Sequence, residues 1–135
     1  MATTGQQNVI TGTDFVVVPT RDFDQAVEFY GSVLGLPCSA RYGSMPGAEF
    51  ETGSLTLAVM ATERFGMGFT VNRNPIALQV DDYKAARTEL ESRGVTFTSD
   101  TIDSGVCHMA SFEDRDGNVL MIHHRYAPRT AASGA

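Results

Sequence analysis

Val16-Val17-Val18-Pro19-Thr20-Arg21-Asp22-Phe23-Asp24-Gln25-Ala26 lies over Ile76-Ala77-Leu78-Gln79-Val80-Asp81-Asp82-Tyr83-Lys84-Ala85-Ala86 at a shift of 60 residues. In both stretches an apolar run meets an aspartate, then an aromatic residue, then an alanine that opens a helical pattern. A repeat of this kind marks one supersecondary unit used twice, with a core or cleft shared between the copies. What lines that cleft decides the function.

Working outward, Phe15 to Val18 reads as a β-branched strand stopped by Pro19. Asp22 stands three residues ahead of Gln25, as in a capping box, and Phe23, Ala26, Val27, Tyr30 and Leu34 recur at helical spacing until Gly35. Extended runs follow at Ser39 to Tyr42, Ala48 to Glu51 and Leu55 to Met60, with Gly43, Gly47 and Gly53 at the turns. Unit two repeats the order. Ile76 to Val80 is a strand and Asp82 to Arg93 a helix ended by Gly94; Val95 to Phe97 leads into Val106 to Phe112, and Val119 to His124 closes the domain. Asp114-Arg115-Asp116-Gly117-Asn118 has the residues of a tight hairpin turn. The expected class is α+β, with two tandem βαβββ units in one domain over residues 1–135. Unit one spans residues 14–62, a connector 63–74, unit two 75–125 and a tail 126–135. Residues 1–11 and 128–135 are small and polar and read as frayed. The connector has no clear period, and its Phe65, Met67 and Phe69 favour an ordered role.

Bulk properties exclude several functions. A length of 135 residues, with 42% hydrophobic residues, suits one globular domain that buries its own core. No apolar run reaches membrane-spanning length, and residues 1–7 lack the basic and apolar regions of a secretion signal. The formal charge of −6 argues against nucleic acid, where affinity comes largely from phosphate neutralisation. Cys38 and Cys107 are too few and too far apart for a disulfide framework, so free thiols in a cytoplasmic protein are expected. There is no phosphate loop, no nucleophile elbow and no His-Glu-x-x-His helix; Gly66-Met67-Gly68 lacks the strand-to-helix context of a dinucleotide site.

The segment Asp22…Ala26…Phe29-Tyr30…Val33-Leu34-Gly35-Leu36, the late turn Phe112-Glu113-Asp114-Arg115-Asp116-Gly117-Asn118 and the internal repeat together resemble the vicinal oxygen chelate superfamily, the glyoxalase, bleomycin-resistance and extradiol-dioxygenase group. The resemblance covers residues 14–125, and the chain departs from it at Arg115, where the family usually has proline. It implies paired half-barrels around a ligand cleft, and a homodimer. In metal-dependent members four strand positions carry His, Glu or Gln. Counted from the shared aspartate and from Gly53 aligned with Gly117, they fall at Phe15, Leu57, Pro75 and Met121. None offers an oxygen or nitrogen donor, and the Met121 thioether is too soft for the family's metals, so no metal and no cofactor is expected. A slip of one residue would bring in Asp14, but would also turn the strand over.

Strand alternation then sorts the candidates. Phe15, Val17 and Pro19 share the cleft face, as do Pro75, Ala77 and Gln79, and Leu57 and Val59 form an apolar wall with Met121. Phe65, Met67 and Phe69 are placed to cover the opening. A glutamine in an apolar strand must find hydrogen bonds, so Gln79 is a candidate ligand contact. His123 shares the face of Met121 and His124 points outward. His108 lies on the strand before the last turn, where members often carry a cavity-lining polar residue. If His108 and His123 converge they could act as acid and base; spacing leaves that open. Glu49, Glu51 and Glu113 read as surface carboxylates. Three function classes stand: a metal-free protein sequestering a mainly apolar or aromatic small molecule, a lyase, isomerase or dioxygenase of the same fold, or an interaction module with a filled cleft. The missing ligands and the acidic charge favour the first.

Overall fold

In the computed structural model, which describes residues 9–129, the repeat folds as two four-stranded sheets. Most of the two ends read as frayed, residues 1–8 and 130–135, lies outside the described residues. Unit one consists of β1 (Phe15–Pro19), α1 (Phe23–Glu28), β2 (Cys38–Arg41), β3 (Gly47–Glu51) and β4 (Thr56–Met60), in sheet order β1-β4-β3-β2. Unit two consists of β5 (Ile76–Gln79), α2 (Tyr83–Ser92), β6 (Ile102–Asp103), β7 (Cys107–Glu113) and β8 (Val119–Arg125), in order β5-β8-β7-β6. In each sheet the first strand runs parallel to the last, and the remaining pairs are antiparallel. The class is α+β with two repeated units. Among the described residues no helix is long and apolar enough to cross a membrane.

Both helices start where the sequence places their caps. Asp22 and Asp82 have extended backbones, and their carboxylates accept from the N–H of Gln25 and Ala85 at 3.1 and 3.0 Å. α1 then widens into a π turn over Phe29–Val33, closed by the Leu34 N–H donating to Phe29 O at 2.9 Å. Phe29 and Tyr30 are both buried on this turn.

One expected strand is displaced. Val95–Phe97 makes a single bridge, Phe97 to Phe112, and the paired strand is β6, opposite Met109 and His108. Side-chain packing holds the expected segment instead: Val95 is in the core, and the Phe97 ring packs against Phe112 at 5.5 Å beneath the Arg87 guanidinium. An apolar alternation that serves packing is indistinguishable from one that serves a ladder.

The two units meet through their helix-bearing faces. One core joins Val18, Phe29, Tyr30, Phe50 and Leu57 to Leu90, Phe112, Leu120 and Ile122. At its centre the Tyr30 hydroxyl donates to Asp114 Oδ2 at 2.7 Å across 84 residues of chain. Asp114, buried, also accepts from the N–H groups of Asp116 and Asn118 and from Asn118 Nδ2 at 2.8–2.9 Å. Asn118 Nδ2 reaches the Pro19 carbonyl, and its Oδ1 accepts from the Asn72 N–H, both at 2.8 Å. Thr20 donates to Asp116 at 2.6 Å, and Arg115 pairs with Glu28 over the Phe29 ring. The late turn is therefore the joint between the units.

Burial first, and then the Asp114 carboxylate, push the Tyr30 phenol far above its ordinary range, so it remains a donor. Removing that hydroxyl leaves a buried carboxylate short of one partner. Tyr30→Phe should lower the unfolding free energy by about 1–3 kcal/mol in urea titrations. Because the folded pKa is raised, the hydroxyl's contribution is complete below the unfolded value of about 10 and is lost as pH rises beyond it. Wild type should lose stability above that pH more steeply than Tyr30→Phe. Equal midpoints at neutral pH would show that the joint does not depend on this bond.

Candidate functional site

Strand pairing assigns each side chain to the helix face or to the open face opposite. In sheet one Val16 is level with Leu57, Val18 with Val59, and Ala48 and Phe50 with those two, and all six pack in or against the helix-side core. The open face carries Phe15, Val17 and Pro19 on β1, Thr56, Ala58 and Met60 on β4, and Gly47, Glu49 and Glu51 on β3. Leu57 and Val59 are thus core residues, not a cleft wall. The displacement comes from turn length. The unit-one turn closes with the Thr52 N–H on Leu55 O, over four residues, and the unit-two turn with the Asp114 N–H on Asn118 O, over five. Counting from Gly53 against Gly117 therefore slips by one, which in a strand exchanges the faces. The residue matching Met121 is Ala58.

In sheet two Ile76, Leu78, Ala110, Phe112, Leu120 and Ile122 face the helices. On the open face Met121 stands beside Ala77 and Ser111, and His123 beside Gln79 and Met109. His123 and Gln79 are thus cross-strand neighbours, both with side chains away from the core. Gln79 also lines a crevice of about 450 Å3 between β5 and the Thr52–Leu55 turn. His108 lies on the other face. It sits between the rings of Tyr83 and Tyr126, at 5.8 and 4.7 Å, with Nε2 3.3 Å from Asp103. His124 is level with it, and its Nδ1 donates to the Val80 carbonyl at 3.0 Å. Opposite faces of one sheet cannot supply an acid and a base to one substrate, so His108 and His123 do not form a pair.

Sequence reasoning missed the corner beside β3. A Cβ on Gly47 would lie 2.2 Å from Tyr42 Cδ2, so the tyrosine ring lies flat where only glycine leaves room. Phe65 meets that ring edge-on at 6.3 Å, and the Tyr42 hydroxyl donates to Glu49 at 2.5 Å. The usable signal was the alternation Gly47, Glu49, Glu51 against Ala48, Phe50, which puts both carboxylates on the open face. Ser39 and Thr56 donate to Glu51 and hold its carboxyl below the usual range. Phe69 lies under the Arg21 guanidinium at 4.3 Å. Met67 is 55% exposed beside β1.

The positions expected to carry metal ligands do not fit a divalent metal. Around the expected positions stand Phe15, Val17, Thr56, Ala58, Ala77 and Met121, with Pro75 just ahead of β5; the single hydroxyl among them donates to Glu51 at 2.7 Å. Val16 and Val18 face the helices, so the register that would promote Asp14 is not adopted. Among the described residues no three His, Cys, Asp or Glu side chains cluster so as to hold an ion. Among the described residues no hydrogen bond or ring contact between side chains joins the two open faces in one chain.

With this geometry in view, the family model for the Glyoxalase/Bleomycin resistance protein/Dioxygenase superfamily matches residues 12–122. The chain belongs to this superfamily. Among solved structures, a superfamily member from Sphaerobacter thermophilus is similar at a TM-score of 0.76 and 21% identity, covering 87% of this chain and 100% of that one. TnmS3, an antibiotic-binding protein from a Streptomyces species, matches at 0.73 and 21%, covering 88% and 99%. Lactoylglutathione lyase from Agrobacterium tumefaciens matches at 0.72 and 15%, covering 85% and 94%. At these identities the likeness establishes the fold. A search of the curated proteins finds no match.

Burial, then the bond to Glu49, push the Tyr42 phenol up to about 12. Glu49→Gln should return it toward the ordinary value near 10, read from the Tyr42 ring resonances in an NMR titration. A midpoint unchanged by the substitution would mean that Glu49 does not accept this proton in solution.

Proposed function

We propose that this superfamily member binds a small, mainly apolar or aromatic molecule without a metal, and that two copies complete the cleft. In this arrangement the open face of sheet one of one protomer meets the open face of sheet two of its partner. The observation that carries the reading is that Phe15, Ala77 and Met121, on the sheet faces opposite the core, bring no oxygen or nitrogen donor, with Ala58 buried on the same face as Phe15. Phe15 is 47% exposed, an anchor without a pocket until something covers it. The polar groups are complementary, with Glu49 and Glu51 on one face and His123 and Arg125 on the other. Met109, Met121 and Phe65 adapt to flat apolar ligands, and His123 with Gln79 supplies hydrogen bonds that orient them. Similarity to an antibiotic-binding protein agrees with sequestration, which works by mass action and requires stoichiometric protein. Cys38 and Cys107 are free, in keeping with a reducing compartment such as the cytoplasm.

A thermal-shift screen with planar aromatic compounds tests the reading, with nickel and zinc salts as controls. A binder at a hundred times its Kd should add about 2.7 kcal/mol to stability, while the metals leave the transition in place. His123→Ala should weaken that binder several-fold without lowering the transition of the free protein. Light scattering should give the mass of a dimer. Saturable stabilisation by a metal, or a monomer that binds nothing, contradicts the proposal.

A further inference from the structure

We propose that the ligand carries a carboxylate, held by Arg125 at the end of the sheet-two open face. The inference rests on the reading above, because it concerns the same face. The basic side chains of the molecule divide into three kinds. Arg21, Arg73, Arg87, Arg93 and Arg115 each pair with a carboxylate. Arg41, Arg64, Lys84 and Arg129 have no such partner, but all four are exposed and water serves them. Among the described residues Arg125 alone is part-buried and pairs with no acid.

Its guanidinium nitrogens are poorly served by the fold. Nε is shut off from water and has no hydrogen-bond partner. Nη1 reaches only Cys107 Sγ, a weak acceptor, at 3.8 Å. Nη2 has no partner among the described residues and is not shut off from solvent, so it is the open end of the group. A cation drawn partly out of water without a counter-charge is costly, and such groups are normally paired. A carboxylate can approach Nη2 and share the planar fork, whose spacing matches its two oxygens.

Placement and charge say what brings that carboxylate. Arg125 lies directly opposite Cys107, and by alternation it shares a face with His123, about 7 Å away along the strand, and with Met121 beyond. A flat ring over His123 and Met121 therefore presents an acid group to Arg125. The strands of this sheet carry no second Lys or Arg, so one guanidinium balances one negative charge. That suits a carboxylate better than a phosphate, which carries nearly two charges at neutral pH. The glutamates of the facing sheet already hold donors of their own. Glu51 accepts from Ser39 and Thr56 on its two oxygens, and Glu49 accepts from Tyr42. With a formal charge of −6 the protein repels anions at long range, so a preference for an acid must arise locally.

The test titrates naphthalene-2-carboxylate and naphthalene-2-carboxamide into the full-length protein by calorimetry at neutral pH. The two compounds share ring and shape and differ in charge. Wild type should bind the carboxylate at least tenfold more tightly than the carboxamide. Arg125→Gln should abolish that margin, with the carboxamide within twofold of its wild-type affinity and the thermal transition of the free protein unchanged or higher. Arg125→Lys, which keeps the charge without the fork, should retain part of the margin. Equal wild-type affinities, or a margin that survives Arg125→Gln, overturn the inference while leaving apolar binding intact. If neither compound binds, the reading above falls together with this one. The inference also falls if Glu49→Gln and Arg125→Gln dissociate the dimer to the same extent, since Glu49 of the partner subunit would then be the counter-ion.

Discussion

A single buried carboxylate ties the molecule together. Asp114 accepts from Tyr30 in unit one and from Asp116 and Asn118 in its own turn, and Asn118 passes the connection on to Pro19 and Asn72. Neither unit could satisfy these groups alone. Unit one contributes a phenol and a strand-end carbonyl, and unit two contributes the turn that receives one and binds the other. A buried charge with so many oriented donors is specific in geometry, because any other docking of the units would strand it. The π turn after α1 matters for this reason, since it buries both Phe29 against Phe112 and Tyr30 against Asp114.

Joining the units by their helix faces fixes what is left over. The helix faces become one core, and the open faces point away from it with Phe15, Met121 and His123 unclaimed by the fold. The positions at which relatives place metal donors fall on these faces, and here they hold hydrocarbon and one thioether. A hard or borderline cation finds no oxygen or nitrogen donor at those positions, and under the proposed reading a flat apolar molecule buries its surface there instead. One scaffold thus separates a polar joint from an apolar site, and the chemistry of the site can change without disturbing the joint.

Much of this was legible in the sequence because repeat, caps and turns act locally. The paired aspartates announced both helix starts, and the Asp114 to Asn118 turn announced itself by composition. Alternation correctly separated Val16 and Val18 from Phe15 and Val17. It failed for Leu57 and Val59, since nothing in the sequence reveals that one hairpin turn is a residue shorter than its twin, and one residue reverses a strand. Whether His108 and His123 converge was not legible, because they stand on different strands and their relative faces depend on the paired register of β7 and β8. Val95 and Phe97 looked like a strand because burial by α2 leaves the same pattern as a ladder. The Tyr42, Gly47 and Glu49 corner was invisible for another reason. It depends on a ring crossing to a neighbouring strand, a contact with no local signature.

Elemental analysis of the native protein tests most directly whether Phe15, Ala58, Pro75 and Met121 leave the chain without a metal. Protein purified without chelator or affinity tag should carry nickel, zinc, iron and manganese far below one equivalent per chain. Near-stoichiometric content of any of them would mean that donors converge in a way this arrangement of strands does not allow.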